Sequence, residues 1–260
     1  MIKLPASAGW AWVRQGFAIF RRQPGEMMGL FIAYMLLLFL IGVIPVIGQV
    51  LPLMLVPALS LSFTQACLQL ERGEHVHPRL LLTGLRSPAR PRLLQLGALY
   101  VVAAALAIAV SALVDGGTFW KVMSGQAQFD PKTMNAGTML LAMIVAAAVY
   151  SPAAMAFWYA APLIHYQRMG LGKALFYSFF AVWRAFAAFT VYTLGWLFVG
   201  VIAPTMVSVM LIGITGAPGF AVLVLLSVSL ILTAIAFCSF YPTYTSVFGT
   251  PEEPDAPPAS

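Results

Sequence analysis

Four stretches of this chain carry no charged side chain: Met27–Leu70, Leu93–Val114, Thr133–Gln167 and Ala185–Pro251. A helix rises 1.5 Å per residue, so about 20 apolar residues cross the roughly 30 Å hydrocarbon core of a bilayer. Each stretch reaches that length. Backbone in lipid must satisfy its own N–H and C=O groups, so runs of this kind fold as membrane helices. Only 8% of the residues are charged, where a soluble domain carries about 25%. That deficit excludes a water-soluble domain, a disordered chain and a basic nucleic-acid-binding domain. The expected fold class is all-α, a polytopic membrane helix bundle with six transmembrane helices.

The first run is long enough for two spans, with a turn expected at Pro45, Gly48 and Pro52. The last run holds two more, divided at the helix-breaking stretch from Gly213 to Gly219. The spans fall at about 27–47, 50–70, 93–114, 138–164, 186–212 and 220–244. They form one membrane domain, 1–249, followed by an acidic, proline-rich tail, 250–260, which has too little apolar surface to fold. A cleaved signal peptide is not expected, because Lys3, Pro5 and an Arg-bearing stretch through Arg22 stand where its apolar core belongs.

Lys and Arg in short loops set orientation. Lys3, Arg14, Arg21 and Arg22 precede span one. Arg72, Arg79, Arg86, Arg90 and Arg92 follow span two, and Arg168, Lys173 and Arg184 follow span four. These twelve share one side of a six-span arrangement; only Lys121 and Lys132 lie on the other. The asymmetry predicts that both termini are cytoplasmic.

The cytoplasmic segments carry helical patterns of their own, at about 8–23, 78–87 and 171–184. Trp10, Val13, Phe17 and Phe20 recur at spacings of three and four, with Arg14 and Arg21 on another face. Leu175, Phe179, Val182 and Phe186 repeat the spacing, and Leu81, Leu82 and Leu85 run among Arg79 and Arg86. The pattern describes amphipathic helices lying along the inner leaflet. The chain thus reads as three parallel repeats of an interfacial helix plus a transmembrane hairpin. Arg14, Phe17, Phe20, Phe39 and Pro45 align at one fixed offset with Lys173, Phe176, Phe179, Phe198 and Pro204. Coincidence among abundant aromatics explains that offset equally well.

No ionisable residue stands at the middle of a span, which argues against a proton-coupled pump, a voltage sensor or a charge-lined channel. Gln65 with Ser62 and Thr64, and Ser227 with Ser229 and Thr233, read as helix–helix hydrogen bonds. Prolines 57, 152, 162, 204 and 242 predict kinks. Cys67 and Cys238 read as buried small hydrophobes. His75 and His77 lack the further ligands that zinc needs. Neither a nucleophile elbow nor a phosphate loop occurs, so no enzyme, cofactor or metal is expected.

The chain resembles a family of uncharacterised inner-membrane proteins of proteobacteria. The residues that carry the likeness are Trp12, Val13 and Arg14; Asp115, Gly116 and Gly117; Phe157, Trp158 and Pro162; and Trp183, Arg184, Phe189, Thr190 and Tyr192. More distantly, the helix-plus-hairpin pattern is similar to membrane domains attached to some bacterial glycerophosphodiesterases, whose catalytic domain is absent here. The family implies no activity.

The expected role is to bind, organise or move lipid-like or apolar molecules, with membrane lipids as partners and no nucleic acid. Candidate headgroup ligands are Arg14, Arg21, Arg22, Arg72, Arg79, Arg86, Arg90, Arg92, Lys173 and Arg184. Two alternatives stand beside it: an accessory or scaffold subunit partnered by another membrane protein, and a transporter of an unidentified solute.

Overall fold

The computed structural model describes residues 4–45, 47–128 and 135–251. Lys3, Phe129, Asp130 and Lys132, and the tail beyond Pro251, lie outside the described residues. Helix α1 (Ser7–Phe20) leads into α2 (Pro24–Gly42) and α3 (Ile47–Glu71), the first two spans. A 3-10 turn, Pro78–Leu82, and the short α4 (Thr83–Arg86) precede α5 (Arg90–Asp115), the third span. After α6 (Thr118–Met123), α7 (Ala136–Phe157) and α8 (Ala160–Tyr166) together make the fourth. Next come α9 (Leu171–Arg184), then α10 (Phe186–Leu197), a π-helical segment Phe198–Ile202 and α11 (Ala203–Thr215) as the fifth span. Helix α12 (Pro218–Phe248) is the sixth. Among the described residues, six helical segments are long and apolar enough to cross a membrane.

Two interruptions trace to prolines. Proline lacks an N–H, and its ring collides with the carbonyl four residues earlier. For Pro162 that carbonyl is on Trp158, where α7 gives way to α8. For Pro204 it is on Gly200, inside the π-helical segment. The first turn differs from expectation, since α3 begins at Ile47 and takes Gly48 and Pro52 into the helix. Gly48 packs directly on the carbonyls of Ile41 and Gly42, so the chain reverses without a longer loop. Asp115 accepts the N–H groups of Gly117 and Phe119, and Gly116 and Gly117 take left-handed backbone angles, which explains that Asp-Gly-Gly turn.

The three basic-end helices, hereafter arms, do not pack on their own hairpins. α1 lies against α10 and α12; the 3-10 turn and α4 lie against α2 and α3; α9 lies against α7 and α8. Each arm thus grips the hairpin of another unit, in cyclic order. The contacts run through small residues. Gly16 meets Ser239 of α12, and Gly84 meets the Ala58 carbonyl of α3. Ser178 donates to the Met155 carbonyl at 2.8 Å and accepts the Tyr159 N–H at 2.9 Å.

Helix α1 therefore differs from a helix resting on the leaflet by an aromatic stripe. Its buried face is Gly9, Trp12, Val13, Gly16, Ile19 and Phe20, while Trp10 of the predicted stripe is 43% exposed. In lipid, helices gain little from burying grease and much from close backbone approach, which favours glycine. On α9 the buried residues are Ala174, Ser178, Ala181 and Val182; Phe176, Phe180 and Trp183 point outward, as does Phe186 beyond it. The fixed offset is not a structural register either. Pro45 sits in the turn after α2, whereas Pro204 lies mid-way along the longer fifth span.

Most buried positions lie in the half of the bundle nearest the arms, at 27–34 in α2, 58–70 in α3, 93–97 in α5 and 234–244 in α12. Toward the opposite end the hairpins are exposed on most sides, and α11 packs chiefly on α12. The molecule is a packed floor at the basic end with looser hairpins rising from it.

Candidate functional site

Aromatic residues of all three units meet on that floor. Trp12 of α1 makes edge contacts with Phe189 at 5.4 Å and Tyr192 at 5.9 Å, both on α10. Trp158, at the break after α7, contacts the same pair at 5.3 Å and 6.2 Å, and Phe240 of α12 at 5.8 Å. Tyr159 donates to the Thr243 carbonyl at 3.0 Å. Ser239 takes the Trp196 N–H at 3.1 Å, lies 2.7 Å from the Tyr192 hydroxyl, and has Gly16 of α1 against it. Trp12, Trp158, Phe189 and Tyr192, read separately along the sequence, form one cluster because the arm of unit one closes on the hairpin of unit three.

Directly above the cluster lies a cavity of about 450 Å³. Ser60, Phe63 and Thr64 of α3 form one wall, Tyr100 of α5 another, and Tyr150, Ala154 and Phe157 of α7 a third. Ala236, Phe237 and Phe240 of α12 line a further side, and the cavity is partly open. The rings order one another: Phe63 stacks on Phe237 at 4.3 Å, and Tyr100 on Phe157 at 4.3 Å. Tyr100 is ten residues from the basic end of α5, and Phe237 eleven from that of α12, which puts the cavity about 15 Å along both helices from that end. Its volume is within the roughly 300–1,000 Å³ of ligand pockets, and about three times that of an apolar cavity known to admit benzene. Among the described residues, no carboxylate, amine, guanidinium or imidazole lines it. Such a chamber can hold an apolar body and offer hydroxyls to it; it offers no strong acid or base.

All ten predicted headgroup ligands are exposed at the basic end, and none reaches the cavity. Two of them also brace the fold. Arg22 donates to the Leu70 carbonyl in the last turn of α3 at 3.3 Å, a favourable place for a cation. Arg92 donates to the Arg168 carbonyl at 3.4 Å. His75 pairs with Glu26 at 3.0 Å, and no metal-holding group occurs among the described residues. Gln65 accepts from Tyr166 at 2.9 Å, an inter-helix bond of the expected kind. Ser227 and Thr233 instead bond to carbonyls of their own helix, since that part of α12 faces outward. The cavity was not legible in the sequence, because its walls come from five spans and no local spacing records their convergence.

A protein of Burkholderia thailandensis described as a "probable inner membrane protein" is 39% identical to this chain over 262 residues, covering 99% of it and 96% of the relative. The chain belongs to the same family. It is a multi-pass inner-membrane protein. No family model matches, and no solved structure matches. Nothing in these comparisons links it to membrane domains attached to glycerophosphodiesterases.

Proposed function

We propose that this inner-membrane protein acts without catalysis, binding and organising lipid-like molecules through its central cavity and its basic end. The cavity carries the reading: a ligand-sized, aromatic space between the spans, with no charged group among its described lining residues. Both termini and the arms are assigned to the cytoplasmic side, where exposed Arg and Lys hold anionic headgroups at about 1 kcal/mol each.

Native mass spectrometry of protein taken from membranes in mild detergent tests the proposal. Lipid should remain bound to the wild type. Ala154→Phe, which fills the cavity, should reduce retention. Changing Arg79, Arg86 and Arg90 together to Gln should weaken preference for anionic lipid by on the order of a hundredfold. A wild type that retains no lipid, or retention indifferent to both changes, defeats the reading. The scaffold alternative draws on the outer part of the third hairpin, where α11 packs chiefly on α12 and leaves most of its surface free. A stoichiometric protein partner in the same preparation would favour it.

A further inference from the structure

The cavity is apolar in its walls but not in all its groups. Tyr100 and Tyr150 both line it, from α5 and α7. Tyr34 of α2 stands beside it, edge-on to Phe63 and Phe237 at 5.4 Å each, and those two rings are cavity walls. Among the described residues none of the three hydroxyls has a hydrogen-bond partner, whereas Tyr159, Tyr166, Tyr192, Tyr241 and Tyr244 are all bonded. A hydroxyl that faces hydrocarbon finds no partner there. Phenylalanine would fill the same space without that cost. Two phenol donors in an otherwise apolar lining are the arrangement of a ligand site, where few polar groups fix the orientation of an apolar body.

Resting on the lipid-binding reading above, we infer that the cavity takes an uncharged lipid bearing a carbonyl oxygen, held by the hydroxyls of Tyr100 and Tyr150. The absence of a cation among the walls excludes a phosphate or free carboxylate there, and the ring-lined walls suit a flat or extended apolar body. A prenylated quinone and a diacylglycerol both supply this chemistry.

The test is thermal stabilisation of the full-length protein in detergent by three probes: decylubiquinone, dioctanoylglycerol and hexadecane, the last lacking oxygen. Stabilisation tracks affinity for the folded state. At least one oxygen-bearing probe should stabilise the wild type more than hexadecane does, and which one does so distinguishes quinone from glyceride. The double variant Tyr100→Phe, Tyr150→Phe should bind that probe about tenfold more weakly, as expected for the loss of two hydrogen bonds, with hexadecane unchanged. If the double variant does not fold, Tyr150→Phe alone, at a half-exposed position, should still lower the preference. A folded variant with undiminished preference for oxygen overturns the inference. In that case retained lipid in native mass spectra leaves the broader reading standing, and its absence removes both.

Discussion

Adding one methyl group to α1 tests how the arms are held. A Cβ on Gly9 would lie 2.1 Å from the Ala188 carbonyl oxygen and 2.7 Å from the Tyr192 nitrogen. Both obstacles are backbone of α10 and cannot rotate away. Restoring an ordinary contact of 3.4 Å moves α1 by about 1.3 Å, enough to forfeit half or more of the dispersion between Trp12 and its ring neighbours. Overpacking of this kind costs about 1–3 kcal/mol. In an unobstructed helix the same change gains about 1 kcal/mol, because glycine is a poor helix former. The sign of the effect therefore decides. Gly9→Ala should melt lower in detergent, by roughly 2–4 °C for each kcal/mol in a chain of this length. Gly172→Ala, in α9 with nothing within 4 Å, should melt at or above the wild type. A Gly9→Ala protein as stable as the wild type would refute the close docking of α1 on α10.

Trp12→Ala should lose about 3–5 kcal/mol in the same assay, while Trp10→Ala, whose half-exposed ring lies against Gly195, should cost clearly less; equal effects would contradict the assigned face. Tyr159→Phe removes the donor to the Thr243 carbonyl and should cost about 1 kcal/mol. Asp115→Ala removes the cap of α6 and should speed hydrogen exchange of the Gly117 and Phe119 amides while leaving the floor protected. A phosphatase fused after Gly125 should be active and one fused after Pro251 inactive; the reverse pattern overturns the assigned orientation.

The six spans were legible because their signal is length without charge, which needs no tertiary information. The loops too were largely placed by their glycines and prolines, except where α3 absorbed Gly48 and Pro52. The packing was not legible in the same way. The apolar stripe in the sequence runs through Trp10, Val13, Phe17 and Phe20, while the structure buries Gly9, Trp12 and Gly16 alongside Val13 and Phe20, because lipid rewards close approach more than greasiness. The arms are cyclically exchanged, so Trp12 meets Phe189 across most of the chain's length, a pairing that no local pattern encodes. The basic residues were found readily, and their separation from the cavity could be seen only once the floor between them was in place.

The most direct measurement of the central claim is a cryo-electron-microscopy map of the protein in lipid nanodiscs, with an antibody fragment to give it size. The account predicts elongated non-protein density between α3, α7 and α12, above Trp158 and touching Tyr100 and Tyr150. A chamber closed by contact of Phe237 with Tyr150, or one filled only with ordered water, would contradict it.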